Sequence, residues 1–299
     1  MTERVRLSMY CIGCLPGYHT AYVSAAADGL FADHGFDVEI VDPISGPENV
    51  RRTATGGAEF CLTSVSHYLT ARSRFGDIAA RFAAPIVRRH PIGGLVAADS
   101  PYQTPADLAG KRVGGSADKG LMAEYQAALT HLGLERGEVV ELTYGSAPAA
   151  LGRGDIDAVP DFIDLVPRTR DQAGLAIRPI HFGLRVYGHG MVVADSVPTE
   201  TVQRMVDAIT AALERQRDHP DHGLDIMAAR FPDANLDYAV EGWRIGQTNI
   251  FTGEPVGSAT PEGWAATVSY IAAAHGLDAV DPETVYRTDA IRTQEEALA

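Results

Sequence analysis

Lysine is nearly missing from this chain of 299 residues: Lys111 and Lys119 stand against 23 arginines. That scarcity limits any chemistry needing a Schiff-base amine. Long apolar runs are missing too. No stretch approaches the ~20 apolar residues of a membrane-spanning helix, so membrane insertion is not expected. Positive charge is in deficit, with 25 basic against 39 acidic side chains and a net charge of −14. A chain so acidic is a poor partner for nucleic acid or an anionic membrane surface. A small organic anion stays possible, because a local arginine or helix N-terminus overrides the global field. Cysteine is scarce: Cys11, Cys14 and Cys61 fit free thiols in a reducing compartment. The C-x-x-C pair finds only Cys61 as a further thiol, whereas a structural zinc site wants four ligands, so no metal is expected. The N-terminus M-T-E-R-V-R-L-S-M-Y shows neither an apolar leader core nor a lipoprotein-type cysteine. The expectation for the sequence as given is a cytoplasmic protein, and a periplasmic or extracellular one only where a leader has been removed.

What is present is an alternation of strands and helices. Val5 to Tyr10 reads as a strand, followed by a Gly/Pro/Cys loop, an Ala-rich helix and a second strand from Asp37 to Asp42. This βαβ opening puts its loop beyond the carboxyl end of the first strand, where open α/β sheets bind ligands. A-E-F-C-L-T follows as a third strand, and Ser64 or Ser66 caps the next helix. The pattern resumes with a strand from Arg112 to Gly115, a helix from Gly120 to Leu132 and the strand D-I-D-A-V-P-D-F. R-V-Y-G-H-G-M-V-V-A-D then carries the chain back, and from Pro198 the tail is helical. The apolar positions Val202, Met205, Val206, Ile209, Ala212 and Leu213 recur with helical period. The predicted fold class is α/β: two doubly wound lobes joined by two hinge crossings. Lobe 1 would comprise residues 1–98 and 187–299, including the helical tail, and lobe 2 residues 99–186.

Several stretches carry a resemblance. A-D-G-L-F-A-D-H-G-F-D-V-E-I-V, G-G-A-E-F-C-L-T-S, T-P-A-D-L-A-G-K-R-V-G and G-R-G-D-I-D-A-V resemble the type 2 periplasmic binding protein superfamily. The branch is that of the nitrate, taurine and alkanesulfonate binders and the thiamine-pyrimidine precursor synthases. The resemblance covers nearly the whole chain and implies the fold more firmly than the ligand, because the shared motifs are mostly structural turns. It also implies that the pocket is lined by loops after the first, third and fifth strands and by the crossings. Those loops hold Cys11, Cys14, Tyr18 and His19, then Thr63, Ser64 and His67, then Ser116 and Lys119, then Asp161, and finally Tyr187 and His189.

Each group has a chemical and a structural reading. Cys14 is a candidate nucleophile if His19 or His67 lies within reach as base; otherwise the cysteines are packed thiols. Hydroxyls at Thr63 and Ser64 are ligand contacts or N-caps. The synthases that this region resembles carry a cofactor-binding lysine and a consumed histidine four residues apart, at positions that read Thr63 and His67 here. A threonine cannot form an imine with pyridoxal phosphate, so no cofactor is expected. G-G-S-A-D-K-G is an anion cradle or a tight strand-to-helix turn. Arg88, in R-R-H, is a carboxylate clamp or part of a solvated loop; its neighbourhood resembles the cytoplasmic dihydroxyphthalate decarboxylases. Two functions follow. One is a binding protein of the ABC-importer type closing on a small organic anion or heteroaromatic ligand, with a permease and ATPase as partners if exported. The other is a cytoplasmic enzyme on the same fold, a decarboxylase or lyase of an aromatic or heteroaromatic acid or a pyrimidine-precursor synthase-like enzyme, with His67 or His19 as acid/base.

Overall fold

The computed structural model describes residues 2–10, 16–115, 120–143 and 145–290. Cys11, Cys14, Ser116 and Lys119 lie outside them. The first lobe opens with β1 (Glu3–Tyr10), α1 (Pro16–Ala27), α2 (Leu30–Asp33) and β2 (Phe36–Ile44). It continues with α3 (Gly46–Ala54), β3 (Phe60–Ser64), α4 (Val65–Phe75) and β4 (Ala80–Pro85). β1 pairs in parallel with both β2 and β3, as the βαβ reading requires. The sheet is nevertheless mixed. Its order is β2-β1-β3-β10-β4, and β10 (His189–Ala194) enters antiparallel between β3 and β4. The cause is topological: the returning chain meets the sheet at the cleft end, where His189 stands opposite Ser64.

The second lobe holds β5 (Ile92–Ala97), β6 (Arg112–Gly115), α5 (Gly120–His131), β7 (Glu138–Glu141) and α6 (Ala147–Arg153). It ends with β8 (Val159–Phe162), a 3-10 turn at Ile163–Leu165, α7 (Val166–Ala173) and β9 (Ile177–His181). β5 pairs antiparallel with β8 and β9, while β6 and β7 form a parallel pair bridged to the rest at Val113 and Ala158. Because β5 is hydrogen-bonded into this lobe, the first crossing runs through residues 86–91, ahead of the expected boundary at 98. The return crossing spans 182–188. The two lie side by side, with the Gly188 N–H donating to the Val87 carbonyl and the Val87 N–H to that of His189.

The tail contains α8 (Thr199–Asp218), α9 (Leu224–Arg230), α10 (Ala239–Gly246) and α11 (Pro261–His275). Val202, Met205, Ile209 and Leu213 of α8 bury completely in the first lobe's core, each worth roughly 1.5–3 kcal/mol. α11 departs from the expectation of a tail confined to lobe 1. Its apolar positions Trp264, Val268 and Ile271 join one core with Tyr68 of α4 and Tyr125 of α5, so this helix spans both lobes.

Candidate functional site: an interlobe cleft

A cleft of about 500 Å³ lies between the lobes. Its first-lobe wall consists of Tyr10, Ser45, Gly46, Ser64, Ser66, His67, Thr70 and His189. Tyr10, Ser45 and Ser64 sit at or just beyond the carboxyl ends of β1, β2 and β3, His189 at the start of β10, and Gly46, Ser66, His67 and Thr70 on the first turns of α3 and α4, where strand ends leave a crevice. The second lobe presents Gly120, Leu121, Glu124, Asp161, Phe162, Leu165 and Arg168, and α11 adds His275.

His67 is placed by two devices. Ser64 ends β3 and caps α4, its Oγ accepting the His67 N–H at 3.1 Å, which fixes the first helical turn. Gly46, at the start of α3, lies against the imidazole so closely that a Cβ there would overlap the ring. The ring meets Tyr10 edge to face, with centroids 4.6 Å apart. Burial lowers the His67 pKa to about 4, against the pull of Glu124, so the imidazole is neutral at physiological pH. Its Nδ1 is buried without a hydrogen-bond partner.

Tyr10 and His189 form the adjoining pair, with Oη 2.6 Å from Nε2 and the rings stacked at 5.3 Å. Burial pushes the Tyr10 pKa up and the His189 pKa well down. A protonated phenol thus donates to a neutral imidazole. The first-lobe wall is therefore aromatic, polar and uncharged at these three side chains.

Opposite them sits a carboxylate. Glu124 Oε1 is 2.9 Å from His275 Nε2, and Oε2 is 3.3 Å from His90 Nε2. Ser66 adds a side-chain hydrogen bond across the cleft. Burial is the largest single influence and opposes ionisation of Glu124, but the hydrogen bonds and charges of His275, His90 and Ser66 together outweigh it and hold the carboxyl below its ordinary range. His90 is itself pushed towards the neutral form by burial. Its Nδ1 accepts the Ile92 backbone N–H at 3.3 Å, which leaves Nε2–H to donate to Glu124. Nearby, Asp161 uses one carboxyl oxygen on the Phe162 N–H, at 2.9 Å, and the other on Arg168 Nη2, at 3.1 Å.

Of the residues singled out in the sequence, Ser64, His67, Asp161 and His189 come together in the cleft. Tyr18 and His19 are buried behind it: His19 lies edge-on to Tyr10 at 6.3 Å, and Tyr18 packs on Trp243. Thr63 is wholly buried beside Gly190, its hydroxyl unpartnered. Arg88 points away into the protein, its guanidinium held by Glu254 and Ser258 and 4% exposed. Tyr187 packs on Trp264 and its Oη accepts the Thr260 N–H. Cys61 belongs to the core, burial pushing its thiol up to about 12. Among the described residues no group of three or more His, Cys, Asp or Glu is arranged to hold a metal ion.

Sequence reasoning passed over Tyr10, Glu124, Arg168, His90 and His275. Two of these carried a signal. Tyr10 is the last residue of the first strand, and Glu124 is a single acid in the apolar helix G-L-M-A-E-Y-Q-A-A-L. His275 gave none, since its partner is 151 positions away.

Solved structures share this architecture. The periplasmic aliphatic sulphonate binding protein SsuA of Escherichia coli superposes with a TM-score of 0.70, covering 96% of this chain and 98% of that one at 16% identity. The DSZB protein, crystallised with biphenyl-2-sulfinic acid, gives 0.59 at 17% identity over 100% and 99% of the two chains. At such identity the likeness is one of fold. In sequence, the formylaminopyrimidine-binding protein of Halalkalibacterium halodurans is 23% identical over 281 residues, covering 87% of this chain and 82% of that protein. The NMT1/THI5-like family model matches residues 17–223, from α1 through α8 and so across both lobes. The chain belongs to the NMT1/THI5-like family.

Proposed function

We propose that the protein is a substrate-binding protein of the ABC-importer type, whose lobes close on a small nitrogen heteroaromatic molecule of the aminopyrimidine class, delivered to a permease and its ATPase. The observation that carries this reading is the neutral His67–Tyr10–His189 wall facing the ionised Glu124. A neutral imidazole offers one donor and one acceptor, which matches the alternating amine and ring nitrogen of an aminopyrimidine edge. A carboxylate accepts from an exocyclic amine, and flat aromatic walls suit a flat ring. The same surroundings oppose a sulfonate at the ring position: Glu124 is negative, and His67, Tyr10 and His189 beside it are uncharged. The H. halodurans relative, named as a formylaminopyrimidine-binding protein, is consistent with this choice. We extend the proposal to the cofactor. Thr63 offers a hydroxyl where an amine is needed, so pyridoxal phosphate does not fit.

Thermal denaturation and calorimetry with 4-aminopyrimidine, cytosine and ethanesulfonate test the reading. A ligand at 100 times its Kd stabilises by about 2.7 kcal/mol, and the expected result is a rise in Tm with an aminopyrimidine and none with ethanesulfonate. The reverse order would reject it. So would conversion of the bound ring to product over hours, followed by mass spectrometry, since an importer receptor returns its ligand unchanged.

A further inference from the structure

Half of the chain's ten histidines gather at the cleft and its hinge: His19, His67, His90, His189 and His275. Two of them stand at the crossings. His90 lies in the first, and His189 opens β10 directly after the second; the Val87 N–H donates to the His189 carbonyl and ties the two strands together. Both imidazoles serve as acceptors. His90 Nδ1 takes the N–H of Ile92, where β5 begins, at 3.3 Å, and His189 Nε2 takes the Tyr10 phenol at 2.6 Å. A protonated imidazole has two donors and no acceptor. Proton uptake therefore turns the His90–Ile92 bond into a contact between two N–H groups. The Tyr10 hydroxyl can turn and accept instead, but the His189 imidazolium then faces the imidazoles of His67, His19 and His90.

Counter-charge is short around this cluster. The carboxylate that meets it is Glu124, already held by His275, His90 and Ser66. Asp161 is bound to Arg168, and Asp164 packs behind the cleft wall, close to Tyr18 and Gly246. Tyr10 and Tyr270 meet the rings of His67 and His90 as neutral phenols.

We propose that the hinge is an acid-operated switch, in which protonation of His90 and His189, joined by His67 on the cleft wall, drives the lobes apart and unloads the cleft. The switch rests on the lobe closure of the proposed function, though not on the ligand named there. Opening lets water reach these rings, and in water an imidazole holds its proton up to about pH 6.5. Inside the closed cleft burial depresses all three. The closed form thus has its full preference above pH 6.5 and loses it as pH falls. Asp164 acts in the opposite sense wherever opening hydrates it, since burial raises its pKa to about 7, but it is one group against three. Glu124, with its carboxyl below the ordinary range, takes up a proton only at lower pH than the histidines.

Small-angle X-ray scattering of the ligand-free full chain between pH 8 and 5 tests the switch. A compact chain of this length has a radius of gyration of about 19 Å, and an unfolded one about 60 Å. The expected result is a rise of about 1 Å with a midpoint between about pH 5 and 6.5, at unchanged helical circular dichroism. His90→Asn combined with His189→Gln keeps polar atoms in place without a titrating ring, and should hold the lobes closed down to pH 5. His219→Gln, at an exposed position, should leave the midpoint where it is. A constant radius, a rise accompanied by loss of helix, or a double variant that opens like the wild type would overturn the proposal. Should the double variant not fold, His67→Gln takes its place: a midpoint lowered by about half a pH unit or more is expected, and an unshifted one rejects the switch. No ligand enters the measurement, so failure of the aminopyrimidine reading and failure of the switch are told apart.

Discussion

Gly46 and His67 are coupled by contact rather than by sequence. A methyl group on Gly46 would occupy the space of the imidazole, so Gly46→Ala should swing His67 off Tyr10 and weaken ring binding by tenfold or more, about 1.4 kcal/mol. His67→Ala should cost as much by removing the ring. The double variant should then bind no worse than His67→Ala alone, because the overlap has lost its partner. Calorimetry on the three variants decides this, and additive losses would mean that Gly46 acts elsewhere. Protonation offers a second measurement. Burial, helped by the nearby Asp161 charge, raises the Asp164 pKa from 3.8 to about 7, and its Oδ1 has no partner. A group whose folded pKa is raised stabilises fully below its unfolded value and loses that contribution as pH climbs through the folded one. At about 1.4 kcal/mol per unit, Asp164 should erode up to about 4 kcal/mol of stability between pH 4 and 7. His67 runs oppositely: its folded pKa is depressed, so its contribution is intact above pH 6.5 and fades as pH falls towards 4. Urea unfolding of Asp164→Asn across this window should show the wild type's loss on alkalinisation removed. An unaltered profile would show that Asp164 is ionised at neutral pH.

At the scale of elements, α10 is a further tie between the lobes besides the two crossings and α11. Glu241 makes a bidentate pair with Arg170 of α7 at 2.7 and 3.1 Å, and Tyr238 donates to Asp171 at 2.9 Å. Gly242 makes the approach possible, since a Cβ there would stand 2.7 Å from a backbone atom, the Asp164 carbonyl oxygen. A carbonyl in a packed turn cannot yield as a side-chain tip can, so Gly242→Ala should cost about 1–3 kcal/mol and lower Tm by several degrees. Glu241→Ala removes only an exposed pair and should leave Tm nearly unchanged. Equal effects from the two would mean that charge, not backbone approach, makes this tie. None of it was visible in the sequence, because the facing residues are some 70 positions apart and both helices are short. Local pattern did reveal β1, β3, a serine cap at Ser64 or Ser66, α8 and the strand ending at Phe162, since each writes its period or its cap into consecutive residues. His67, Ser64, Asp161 and His189 were expected at the pocket because the resemblance puts it at the loops after the strands and at the crossings, and all four line the cleft. Arg88 and Tyr187 were legible as polar groups near a crossing but not as inward-facing ones, since direction there is set by residues 254–264 packing over them. The site of β5 was missed for a related reason: an apolar run of six residues does not say which sheet it joins.

The whole molecule carries a net charge of −14, and that field acts on every charged ligand approaching the cleft. For an uncharged ring the field has nothing to act on, so association should be insensitive to ionic strength. An anionic ligand is repelled at long range, and salt relieves the repulsion once the Debye length shrinks, to about 10 Å at 0.1 M and 3 Å at 1 M. Asp161 and Glu124, both lining the cleft, oppose an anion again at short range, while Arg168 attracts it. The balance differs between a carboxamide and a carboxylate substituent on such a ring. A carboxamide gains the Arg168 hydrogen bonds without meeting the field, whereas a carboxylate gains stronger bonds but must cross it. The on-rate of 4-aminopyrimidine-5-carboxamide should therefore stay flat between 20 and 500 mM salt, and that of the 5-carboxylate should rise. Stopped-flow ligand displacement would measure both. A carboxylate on-rate that falls with added salt would show that Arg168 and the helix ends around the cleft focus an attractive potential strong enough to override the acidic surface. The physiological ligand would then have to be sought among anions, with the neutral aromatic wall serving only as its floor.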